Sequence, residues 1–103
     1  MSQGMDQRIF ETTRTTIAAR ARISESEFRE NAFGSWFVAI ATSPERRLVW
    51  DGKERWLVIE SRTLETHGGL ALWKNLWIKR AAAEEDIAGA IQRLLEGLSQ
   101  DAT

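Results

Sequence analysis

The residue types that usually carry catalysis are sparse in this chain, and the few present are scattered. His67 is the only histidine. It precedes Gly68 and Gly69 in "TLETHGG", where a turn is expected. A general base must lie within hydrogen-bond reach of the proton it takes and be oriented by a further group. Glu60, at the end of an apolar run, is the one acid that could converge with His67 on a pocket. "HGGL" matches the glycine-rich oxyanion loop of some esterases only in its letters, because no G-x-S-x-G elbow accompanies it. Glu84, Glu85 and Asp86 are contiguous, but adjacent helical residues do not face one point, and acids at a helix N-terminus already complement its dipole. The chain has no cysteine, which excludes disulfides, thiol catalysis and thiolate metal sites. No phosphate loop, dinucleotide fingerprint, calcium loop or zinc spacing is present. The sequence therefore assigns no catalytic, cofactor-binding or metal-binding residue.

Binding chemistry is better represented. There are five tryptophans and no tyrosine, and two of the tryptophans fall in "ALWKNLWIKR", residues 71–80. Leu72, Leu76 and Ile78 occupy one side of a period-two repeat, and Trp73 and Trp77 the other. With the leucines and isoleucine inward, Trp73 and Trp77 form an exposed aromatic stripe beside Lys74, Lys79 and Arg80, with Trp50 or Trp56 and Arg55 nearby. Tryptophan together with arginine dominates protein-binding hot spots, and contiguous apolar surface on a small domain marks a partner site. With the tryptophans inward, the same residues are core. A third use of Trp73 and Trp77 is stacking on single-stranded nucleic acid, assisted by Arg20, Arg22, Arg46, Arg47, Arg55, Arg62, Arg80, Lys74 and Lys79. Fourteen Lys and Arg against fifteen Asp and Glu leave a formal charge of -1, which disfavours nucleic acid because displacing counterions needs a basic excess.

The elements that must position these residues follow from periodicity. Phe10, Ile17 and Ala21 recur at helical spacing and predict a first helix over 6–22. Ser24 with Glu27 forms a capping-box pattern, and Phe28 anchors a short second helix over 24–31. "SWFVAIAT" is dense in β-branched and aromatic residues, as in a central strand covered on both faces, or by helices on one face and aromatics on the other. Ser43 and Pro44 mark a turn. Asp51-Gly52 then separates two strand-like runs and predicts a hairpin. A two-residue loop sets Trp50 opposite Lys53, whereas a three-residue loop sets Trp50 opposite Glu54 and Leu48 opposite Trp56. The strand over 71–80 follows, and Ile87, Ile91, Leu94, Leu95 and Leu98 predict a C-terminal amphipathic helix. The expected fold is α+β: N-terminal helices, a four-stranded antiparallel meander, and a C-terminal helix packed on one face. The other face is left partly open.

With 103 residues, 43% of them hydrophobic and 28% charged, one folded domain is expected, with 1–5 and 99–103 disordered. The N-terminal stretch lacks the apolar run of a signal peptide, and no window approaches the roughly 18 apolar residues of a membrane span. A cytoplasmic location without membrane contact is therefore expected.

The stretch "NAFGSWFVAIATSPERRLVWDGKERWLVIE" with "WKNLWIKR", over roughly residues 31–80, resembles small immunity proteins encoded beside bacterial polymorphic toxins, including those of contact-dependent and type VI delivery. The resemblance implies a non-catalytic, stoichiometric inhibitor in the cytoplasm that binds one cognate toxin domain and blocks its active site or substrate path. It carries over no catalytic residue. The chain lacks the strong negative charge that commonly accompanies inhibitors of basic nuclease toxins. Rival readings are a small adaptor or chaperone-like protein that dimerises through the same aromatic face, and a small enzyme or ligand carrier built on His67 and Glu60. Free protein would be a monomer or a homodimer.

Overall fold

The computed structural model describes residues 2–42, 44–62, 72–80 and 84–101. Along the chain these form α1 (Ser2–Ala18), β1 (Ile23–Arg29), β2 (Ser35–Ile40), β3 (Arg46–Asp51), β4 (Trp56–Arg62), β5 (Trp73–Arg80) and α2 (Glu84–Asp101). The strands pair antiparallel in sequence order, β1-β2-β3-β4-β5. The α+β class, the antiparallel meander and a helix at each end agree with the expectation, but the sheet has five strands rather than four. Helix α1 begins at Ser2 rather than at Asp6 and ends at Ala18, and α2 continues through 99 to Asp101. Among the described residues no helix is long and apolar enough to cross a membrane. His67, Gly68, Gly69 and Ser43 lie outside the described residues.

The extra strand replaces the expected second helix. In "ISESEFR" the capping-box pattern competes with a period-two alternation, and the alternation prevails. Ile23, Ser26 and Phe28 pair with Ile40, Val38 and Trp36, while Glu25, Glu27 and Arg29 point the other way. An N-cap contributes about 1 kcal/mol. Pairing along the whole edge of β2 satisfies that strand's backbone groups and lays Phe28 against Phe10 and the core. Ser24 sits as the extra residue of a bulge, and its hydroxyl donates to the Glu45 carboxylate.

Both helices cover one face. Helix α1 lies against β1 and β2, α2 lies against β3 and β4, and the helices touch each other. The core between the layers takes Phe10 and Ile17 from α1, and Ile87, Ile91, Leu94 and Leu95 from α2. Trp36, Val38, Ile40, Leu48, Trp50, Leu57 and Ile59 come from the sheet. Leu94 and Leu95 are almost completely buried, as their helical spacing predicts.

The β3–β4 hairpin departs from both loop lengths expected for it. Asp51 pairs with Trp56, so Gly52–Arg55 form a four-residue loop, Trp50 pairs with Leu57, and Leu48 pairs with Ile59. The Asp51 carboxylate accepts from the backbone N–H groups of Lys53 and Glu54, and the Asp51 carbonyl accepts from Arg55 N–H at 2.7 Å. These bonds close the longer loop, with Arg55 in the left-handed region at φ 59°. Gly52 is needed for space rather than for a positive φ. A Cβ there would stand 1.9 Å from the Phe33 carbonyl oxygen, and the Gly52 N–H donates to Ser35 Oγ.

Candidate protein-interaction face

The side of the sheet away from the helices carries no covering element among the described residues. Residues directly paired across antiparallel strands project to the same face, so the register divides this open face into three rows. The middle row is Glu27, Phe37, Val49, Val58 and Ile78. Apart from Glu27 it is apolar. On one side lie Glu25, Ala39, Arg47, Glu60 and Asn75. On the other lie Arg29, Ser35, Asp51, Trp56 and Arg80, with Ser35 tied to the β3 end by its bond to Gly52.

Exposure rises toward the β5 edge. Ala39 is buried beneath its neighbours, Phe37, Val49 and Val58 are half-buried, and Ile78 is 51% exposed. Leu72 and Leu76, on the same edge, are 61% and 52% exposed. The polar groups are held in place by each other. Arg47 Nε donates to Glu60 at 2.5 Å, and its guanidinium lies 4.0 Å from the centre of the Trp73 ring and 5.5 Å from that of Phe37. Arg80 lies over Trp56 at 5.1 Å. Stacked guanidinium groups of this kind bind planar and acidic partners while giving up little further side-chain freedom.

The residues singled out from sequence do not share this face. Trp73 and Arg80 lie on it. Trp77 pairs with Ile59 and packs against the core on the helix side, with Arg93 of α2 at 5.8 Å from its ring. Lys79 pairs with Leu57, also on the helix side, and donates to Asp86 at 3.0 Å. Lys74, paired with Ser61, projects the same way and is exposed. Trp50 is core, 7% exposed, and Arg55 caps its ring from the hairpin loop at 5.4 Å. The expectation that Trp73 and Trp77 act as one stripe fails because β5 bulges. Ile59 pairs with Trp77 but Glu60 pairs with Asn75, so Leu76 is an extra residue and alternation restarts with opposite sense.

Phe37, Val49 and Val58 were not recognisable as site residues without the register, whereas Arg47 was already among the cations that the sequence set beside Trp73 and Trp77. The signal for them is the alternation in "RRLVWD" and "WLVIESR", which becomes legible once Asp51 is set opposite Trp56. Glu60, expected to converge with His67, instead holds Arg47; His67 is outside the described residues. Among the described residues no group of three or more His, Asp or Glu side chains is gathered to hold a metal ion. A separate cleft of about 260 Å³ lies between α1 and α2, with Ile87 and Ile91 on one wall and Thr12, Thr13 and Thr16 on the other. It lies between the helices, away from the open face.

Comparison of the chain with protein-family models, with curated proteins and with solved structures gives no match.

Proposed function

We propose that the protein is a non-catalytic inhibitor of the immunity type, acting in the cytoplasm by binding a cognate toxin domain through the open face of its sheet. The observation that carries this reading is a sheet face, covered by no helix among the described residues, on which an apolar row, rising in exposure to Ile78, is flanked by Trp73 over Arg47 and Trp56 under Arg80. Exposed apolar surface rimmed by ordered aromatic and arginine side chains is the composition of protein-binding hot spots. The residues that form it are held by ion pairs and ring contacts within the monomer, so docking would immobilise few additional side chains.

The contact residues in this reading are Phe37, Val58, Trp73, Ile78 and Arg80, with Arg47 as the group that sets Trp73. Lys74, although on the same edge strand, projects to the helix side and is not among them. Trp77, Trp50 and Lys79 support the fold on the helix side and do not meet the partner.

Co-expression with the product of the adjacent upstream reading frame tests the proposal. Rescue of growth together with co-purification is expected, and substituting Trp73 or Ile78 should abolish both. An upstream product that is harmless alone and forms no complex would sink the immunity reading.

A further inference from the structure

We propose that in the free protein the open face is covered by the same face of a second copy, related by a two-fold axis running along the middle row, perpendicular to the strands. The pairing follows from the pattern of the face itself and does not rest on the toxin-binding reading. A two-fold interface must be self-complementary: the patch has to match itself after rotation.

Rotation by a half-turn about the middle row stacks Val49 on Val49, Val58 on Val58 and Ile78 on Ile78, and exchanges the two flanking rows strand by strand. On β1, Glu25 then meets Arg29 of the second copy. On β3, Arg47 meets Asp51, and on β2, Ala39 meets Ser35, two small residues that let the layers close. Where two charged residues from opposite rows meet, the charges are opposite, and each such pairing occurs twice by symmetry; on β4 Glu60 meets Trp56, and on β5 Asn75 meets Arg80. Glu27, the one acid in the middle row, meets Glu27 of the second copy at the β1 edge, a like-charge contact offset in each chain by the ion pair with Arg29. The other in-plane axis, parallel to the strands, lays β1 over β5 and sets Arg29 against Arg80. The charge pattern therefore selects the first axis.

Size sets the strength. Five strands spaced about 4.8 Å apart and about 20 Å long present roughly 500 Å² per copy, or about 1,000 Å² in total, which is the lower limit for a specific interface. Two sheets packing with strands aligned to within about 30° form the usual β-sandwich geometry. A reversible dimer of moderate affinity is expected, one that a better-fitting partner can displace.

Sedimentation equilibrium of the full chain, from roughly one to several hundred micromolar, tests this. A monomer–dimer equilibrium is expected. Glu25→Arg places arginine against Arg29, and Arg29→Glu places glutamate against Glu25; each should weaken the dimer about tenfold, since two symmetry-related contacts turn repulsive. The double variant E25R/R29E restores opposite charges and should recover most of the loss. Both residues are exposed, and thermal unfolding checks that the variants remain folded. Ile78→Lys should also dissociate the dimer. A chain that stays monomeric throughout leaves the face to another occupant and overturns the proposal. A dimer indifferent to both single reversals, or one that the double variant does not restore, overturns the axis. Sedimentation reads the free protein and co-expression reads the toxin partner, so the two proposals fail separately.

Discussion

Trp73 and Trp77, four positions apart on one edge strand, lie on opposite faces of the sheet. A regular strand would put them on the same face, and the bulge at Leu76 separates them. Trp73 is thereby available at the open face over Arg47, while Trp77 closes the margin of the core under Arg93. One inserted residue divides the pair into a tryptophan at the core margin and a tryptophan on the open face.

Substituting each tryptophan by alanine separates these roles. Trp77→Ala removes a half-buried ring from the core margin and should lower unfolding stability by about 2 kcal/mol. Trp73→Ala loses its contact with Arg47 and should cost less than about 1 kcal/mol. Urea unfolding followed by circular dichroism measures both. Equal losses would contradict the placement of the rings on different faces.

Two glycines should respond oppositely to the same change. Gly52→Ala drives a Cβ into the Phe33 carbonyl oxygen, which is backbone and cannot swing aside, so a loss of about 2 kcal/mol or more is expected. Gly89 lies within α2 with nothing within 4 Å of its added Cβ. Gly89→Ala should therefore gain about 0.8 kcal/mol from helix propensity alone. The two midpoints in one denaturant series give the comparison.

How much of this was legible in the sequence varies from element to element. The periodicity of Ile87, Ile91, Leu94 and Leu95 identified α2, and the density of β-branched residues identified β2, because burial on one face is written directly as spacing. In β1 a local capping pattern and a strand alternation coexist, and only the presence of β2 as a pairing partner decides between them. The hairpin dipeptide Asp51-Gly52 marked the turn correctly. Its length depended on Asp51 accepting two backbone bonds and on Arg55 adopting a left-handed conformation, which no pattern of apolar residues records. The candidate face was harder still. Its apolar row consists of one residue from each of four strands, joined only by register, and a bulge invisible in composition reversed the sense of half of β5.

Thr13 offers a test inside the helical layer. It is 2% exposed, and among the described residues its hydroxyl has no hydrogen-bond partner, whereas Thr16 donates to the Thr12 carbonyl. A buried unpaired hydroxyl is destabilising, and valine has nearly the same shape. Thr13→Val should raise stability by about 1 kcal/mol. A loss of comparable size would mean that the hydroxyl is paired after all.

Arg47 ties together the polar groups of the open face. It is 25% exposed, bonded to Glu60 and capped by Trp73. A double-mutant cycle with Arg47→Ala and Glu60→Ala should give a coupling of about 1 kcal/mol, above a typical exposed pair only in so far as both groups are mostly shielded from water. Arg47→Lys keeps the charge but loses the planar fork that both grips the carboxylate and stacks on the indole. Stability should fall only slightly, while Trp73 loses its fixed position. Fluorescence anisotropy of a variant that retains Trp73 as its only tryptophan, the others replaced by phenylalanine, should then drop on Arg47→Lys. An unchanged anisotropy would show that the guanidinium does not hold the ring.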